Sequence, residues 1–210
     1  MLFYDCATAP SPRRVRIFAA EMGIELPTHQ VDLRAGEHLG EAFRKLNPEC
    51  TVPLLVLDDG TAIAETVAIC RYLEAAYPDG PRLFGDGAAA RGLVEMWNRR
   101  MELEGIQAVV EGFRNGSPGF RDRALAGPRP VAQIPELADR GRRRFGWFLD
   151  DLDVRLGTAE HVAGNAFSIA DITALVAVEF GGRALKMPVG AERSNLQRWH
   201  ERVRERESTA

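Results

Sequence analysis

The sequence predicts an α+β chain in two parts: a mixed four-stranded sheet flanked by helices over residues 1–80, and an all-helical region over residues 88–210, joined by a linker at 81–87. Three observations predict it. Two short apolar runs, the first opened by Val52-Pro53, flank Asp59-Gly60, which is a hairpin signature. Pro78-Asp79-Gly80-Pro81 and Gly85-Asp86-Gly87 break the pattern, and no strand signal follows them. Within the helical part, Ser168-Ile169-Ala170-Asp171 has the spacing of a capping box ahead of an apolar run.

The elements follow in order. Leu2-Phe3-Tyr4 is a short strand. Ser11-Pro12 reads as a helix N-cap followed by proline at the first helical position; Val15, Phe18, Ala19 and Met22 recur at helical spacing, and Gly23 ends the helix. Residues 28–31 form a second strand, 34–40 a polar loop and 42–46 a short helix. Residues 53–57 and 61–64 pair as the hairpin, and 65–77 form a helix. The order β-α-β-α-β-β-α gives a mixed sheet with helices on its faces. Beyond the linker, long helices are expected over 88–111 and 135–156. The glycine- and proline-rich stretch 112–131 between them is an irregular connection of a length that is uncommon without a function.

Composition narrows the function classes. The chain has 210 residues, 45% hydrophobic and 27% charged, which is ordinary for a soluble globular protein. With a net charge of -3, nothing favours nucleic acid or an anionic membrane. Of the 27 basic residues only Lys45 and Lys186 are lysines, and the cluster Arg140-Gly141-Arg142-Arg143-Arg144 reads as a solvated helix face. Three cysteines, Cys6, Cys50 and Cys70, show neither Cys-x-x-Cys nor metal-ligand spacing, so no metal is expected. The sparse, odd set fits a reducing compartment. The N-terminus has no signal-peptide pattern and no apolar stretch is long enough to span a bilayer, so a cytoplasmic location is expected.

The hairpin carries the chemistry. Proline cannot donate to a ladder, so Pro53 marks a strand start or an edge. With a cis bond there, the Val52 backbone turns outward, where an extended peptide can pair with it. Glu65-Thr66 then opens a helix, where free N–H groups and the helix dipole attract a carboxylate. The combination describes a pocket for a small zwitterionic peptide.

With Asn47-Pro48 before it and Arg71-Tyr72-Leu73 closing the helix, this constellation resembles the thioredoxin-like domain of the cytosolic glutathione transferase family. The resemblance covers nearly the whole chain, because Ser168–Asp171 is similar to the capping box of that family's helical domain. It implies glutathione as co-substrate. Val52, next to Pro53, would pair with the cysteinyl residue, Glu65 would take the γ-glutamyl ammonium, and Thr66 with its helix end would take the carboxylate. His38 would meet the glycyl carboxylate, or is an exposed loop histidine; many members add a lysine at the next position, where this chain has Leu39.

Transfer needs a thiolate, and a thiol of pKa ~8.5 is only a few per cent ionised at pH 7. Ala9 stands where serine-type members carry a hydroxyl, a departure that resembles an atypical bacterial and fungal branch. Ser11, Thr8 and a bound water at the helix dipole remain as donors to the sulfur, with Ser11 placed first. An acceptor site for a small hydrophobic electrophile is expected along the first long helix, with Asn98 and Glu102 as its polar residues. The resemblance also implies a homodimer. The expected function is conjugation of glutathione to electrophiles, or reduction of peroxides with it. The alternatives are a non-catalytic glutathione- or ligand-binding protein on the same fold, kept open by Ala9, and a thiol reductase acting through Cys6 or Cys50.

Overall fold

The computed structural model describes residues 1–209, and by its internal contacts the chain divides into two compact units. The first comprises Met1–Pro81 together with the short segment Leu125–Arg129; the second comprises Arg82–Ala124 and Pro130 onward.

The first unit is built on β1 (Leu2–Asp5), α1 (Pro10–Glu21), β2 (Thr28–Gln30), α2 (Glu41–Leu46), β3 (Leu54–Val56), β4 (Ala62–Ala64) and α3 (Thr66–Ala76). The strand order is β2-β1-β3-β4, with β1 and β2 parallel and the other pairs antiparallel. This is the mixed four-stranded sheet expected from the sequence. Alternation along the strands divides the core. Tyr4 and Leu54, paired across β1 and β3, pack with Val31 and with Phe43 of α2. Phe3 and Leu55, the neighbouring pair, point to the opposite face and are almost completely buried. Val15, Phe18, Ile69 and Leu73 of α1 and α3 are likewise fully buried, since these two helices pack on each other.

The second unit is helical throughout, with α4 (Gly87–Arg100), α5 (Gln107–Gly116), α6 (Pro135–Leu156), α7 (Ile169–Ala184) and α8 (Ser194–Arg204). Instead of one helix over 88–111, α4 and α5 are joined without a break by a π-type segment, Met101–Ile106, in which the Gln107 N–H bonds to the Glu102 carbonyl five residues back. Neighbouring helices pack closely on this wide turn: a Cβ on Gly105 would lie 2.8 Å from the Phe148 ring and 3.0 Å from Ala177. Helix continues to Gly116, so the irregular connection is shorter than expected. It is also ordered, because Gln133 donates to the Arg114 and Ser117 carbonyls at 2.6 and 2.7 Å, and Asn115 accepts from the Ile134 N–H at 2.9 Å.

α7 is the centre of this unit, buried almost continuously from Ile169 to Val178. Its capping box forms: Ser168 accepts at the helix start and the Ser168 N–H donates to Asp171 at 3.1 Å. Asp171 also accepts from the Val162 N–H at 3.0 Å and from the Trp199 ring N–H at 3.1 Å. One capping residue therefore ties α7 to α8 and to the loop before α7. The arginine run lies on the exposed face expected of it, with Arg140, Arg142 and Arg143 exposed, and three of its members also find partners. Arg140 and Arg144 pair with Glu111 of α5, Arg144 also takes the Leu103 carbonyl at 2.8 Å, and Arg142 takes the Leu185 carbonyl at 2.8 Å. α8 was not anticipated, although Leu196, Trp199 and Val203 recur at helical spacing and are all buried.

Candidate active site

The site residues of the first unit gather at the starts of two helices. α3 begins at Thr66 with Glu65 as its N-cap, and no side chain caps it. The first intrahelical bond runs from the Ile69 N–H to the Glu65 carbonyl at 3.0 Å. The N–H groups of Thr66, Val67 and Ala68 consequently point out of the helix end without an intrahelical acceptor. Glu65 is exposed and held at φ 73°, a conformation that non-glycine residues rarely adopt and that tends to mark ligand sites. An uncapped helix end beside an exposed carboxylate offers adjacent positions for an anion and a cation, the two charges of an amino-acid headgroup.

Thr66 itself is 3% exposed, and its hydroxyl donates to the Ser11 carbonyl at 3.3 Å. With that proton committed, the anion-binding capacity of this helix end lies in its backbone N–H groups. The same bond joins the start of α3 to the start of α1. The Val52–Pro53 bond is cis, β3 starts only at Leu54, and the Val52 backbone has no hydrogen bond to any described residue. Asn47 shapes the turn leading to it. Asn47 is 4% exposed, donates to the Thr51 carbonyl at 2.9 Å and accepts from the Glu49 N–H at 3.1 Å. Asn before Pro is the sequence signal for this turn.

The start of α1 differs from expectation. The helix begins at Pro10 with Ala9 as N-cap, so Ser11 is its second residue and caps nothing. Prolines at 10 and 12 carry no N–H, and the Ala9 N–H is spent on the Cys6 carbonyl at 2.9 Å. Within the first three helical positions the dipole is therefore presented through the Ser11 N–H alone. The half-exposed Ser11 hydroxyl has no partner among the described residues. Thr8 is exposed, and its hydroxyl lies 3.6 Å from the Cys6 sulfur.

His38 sits elsewhere in the unit, on the short 3₁₀ turn Glu37–Leu39 between β2 and α2. Glu37 anchors that turn by accepting from the Asp32 N–H at 2.7 Å and pairing with His29 of β2 at 2.6 Å. These contacts, the His29 hydrogen bond foremost, hold the Glu37 carboxyl below the usual carboxylate range.

The cysteines are buried: Cys6 is 9% exposed, Cys50 1% and Cys70 0%. Burial pushes the Cys70 thiol up, far from the thiolate form. In the second unit Asn98, expected to line an acceptor cleft, is instead completely buried, and accepts from the Thr173 hydroxyl of α7 at 2.7 Å. That bond couples α4 to α7, and the Asn98 Nδ2 is buried without a partner among the described residues. Glu102 is half-buried and pairs with Arg99.

Residues 8–76 match the family model of the glutathione S-transferase N-terminal domain, and residues 124–207 match that of the C-terminal domain. Glutathione S-transferase 2 of Saccharomyces cerevisiae is 35% identical over 99% of this chain and 87% of its own. The crystal structure of yeast Gtt2 superposes with a TM-score of 0.90 at 34% identity, covering 100% of this chain and 98% of that one. A glutathione S-transferase domain-containing protein of Marinobacter aquaeolei gives 0.89 at 34% identity with both chains covered in full. A mixed sheet followed by helices, an uncapped α3 beside Glu65, and full-length likeness to fungal and bacterial relatives lead to one assignment: the chain belongs to the glutathione S-transferase family.

Proposed function

We propose that this enzyme binds glutathione on its first unit and transfers it, as the thiolate, to small hydrophobic electrophiles, in a detoxifying role in the cytoplasm. The observation that carries the reading is the open N-terminus of α3 beside the exposed Glu65 at φ 73°. The γ-glutamyl carboxylate meets the N–H groups of Thr66, Val67 and Ala68, and Glu65 meets the ammonium. The Val52 backbone, next to Pro53, pairs with the cysteinyl residue, and His38 meets the glycyl carboxylate. The sulfur lies toward the start of α1. There the Ser11 hydroxyl and N–H stabilise the thiolate over the thiol and lower its pKa. Thr8 is the next hydroxyl along the chain, and the same thiolate serves for peroxide reduction. Glu102 remains the acceptor-side residue and Asn98 is withdrawn. Burial of all three cysteines speaks against a thiol reductase.

We also propose a homodimer. Leu93, Met96 and Leu103 are exposed by 50%, 39% and 43%, and their spacing puts them on one stripe of the α4 helix and its π-type continuation. Glutathione-agarose retention, followed by a panel of electrophile, peroxide and mixed-disulfide substrates, tests the function. Conjugation is expected. Retention without turnover would leave a glutathione-binding protein, and neither retention nor turnover would refute the pocket.

A further inference from the structure

Between the end of β1 at Asp5 and the start of α1 at Pro10 lie only four residues, Cys6 to Ala9, and they fix where the start of α1 points. The middle of this loop is gripped from two sides. The Ala7 N–H donates to Gln30 Oε1 at 3.0 Å, and the Ala7 carbonyl accepts from Arg16 at 3.1 Å. Both gripping side chains are in turn held by Asp5, which is 1% exposed: Gln30 Nε2 donates to one carboxylate oxygen at 2.6 Å and Arg16 donates to the other. The parallel β1–β2 register sets Asp5 beside Gln30, and α1 brings Arg16 back over the loop. The orientation of the Gln30 amide is dictated rather than chosen. A carboxylate only accepts, so the NH₂ must face Asp5 and the oxygen is left for Ala7.

We infer that Asp5, Gln30 and Arg16 are positioning residues for transfer, a closed clamp on the Ala7 peptide that aims the Ser11 hydroxyl and N–H at the glutathione sulfur. The inference rests on the proposed function, because it assigns the clamp's purpose to that sulfur. The clamp touches none of the groups assigned to glutathione. Loss of the clamp should therefore harm the thiolate and spare binding. A misplacement of about 1 Å in a reacting geometry costs on the order of a hundredfold, so a loosened loop is expected to cost about tenfold.

Gln30→Met tests it, since the exposed stem remains while both amide contacts go; Arg16→Lys, which keeps the charge and loses the fork, is the second variant. Two quantities are read: amide hydrogen exchange of Ala7 in the free protein, and the ultraviolet titration of bound glutathione alongside kcat and Kd. In both variants, exchange at Ala7 should quicken about tenfold and the bound thiolate pKa should rise by about one unit. Over the same change kcat should fall about tenfold while the glutathione Kd stays within about twofold. Unchanged Ala7 exchange in folded variants overturns the clamp, and faster exchange with an unmoved thiolate overturns its purpose. A wild-type protein that shows no bound thiolate is a different failure, that of the proposed function. In that event Ala7 exchange still decides whether the loop is held.

Discussion

Ser11 and Glu65 show how a single backbone setting decides what a side chain can do. Ser11 reads as an N-cap because Ser-Pro commonly opens helices, yet Ala9 takes that place and the proline at position 10 starts the turn. Its hydroxyl is thereby left without a partner among the described residues, a difference that no residue-type preference reveals. Glu65, at φ 73°, presents its carboxylate beside the open N–H groups of α3. Glu65→Ala is expected to weaken glutathione binding by roughly 1.5–3 kcal/mol with the fold intact, measured by calorimetry and melting. Thr66 is a different case: its buried hydroxyl donates to the Ser11 carbonyl, so in the proposed site its contact to glutathione is through the backbone N–H. Glu37 adds a pH signature. Its carboxyl titrates below its ordinary value of 4.5, chiefly through His29. A depressed folded pKa gives stability that is present above the ordinary value and fades as pH falls through the folded one. Wild type should therefore melt above Glu37→Gln at pH 7, and the gap should close as pH falls from the ordinary value of 4.5 through the lower folded one.

At the scale of elements, legibility followed locality. The hairpin, α6 and the Ser168–Asp171 box were readable because turn chemistry, apolar period and capping are written in neighbouring residues. The π-type segment at Met101–Ile106 was not, and the residues packed on it are remote in sequence: Phe148 of α6 and Ala177 of α7 crowd Gly105. The complete burial of Asn98 was not legible for the same reason, its partner Thr173 lying 75 positions away. The arginines of α6 read as surface, and are, but their pairing with Glu111 of α5 was not legible from neighbouring residues. Helix contact of this closeness is testable. A Cβ at Gly141 would lie 2.4 Å from the Gly112 nitrogen and 2.7 Å from the Ala108 carbonyl oxygen, so α5 and α6 approach backbone to backbone. Backbone cannot rotate aside, and Gly141→Ala should destabilise by ~1–3 kcal/mol or more, seen as a lowered urea midpoint.

For the whole molecule, the two units divide the labour: the first carries every residue assigned to glutathione, and the second presents the apolar α4 stripe. If that stripe is a dimer surface, Leu93→Arg with Met96→Glu should shift sedimentation at micromolar concentration from dimer to monomer. A monomeric wild type would contradict the assignment. The central claim is that this chain binds glutathione and ionises its thiol at the start of α1. Its most direct test is the ultraviolet titration of glutathione bound to the wild type and to Ser11→Ala, with thermal melting run beside it. The account predicts a wild-type bound thiol titrating well below the ordinary value of about 8.5, a rise toward that value in Ser11→Ala, and little change in melting, because Ser11 caps nothing. A bound thiol that titrates as it does in free solution would contradict the account.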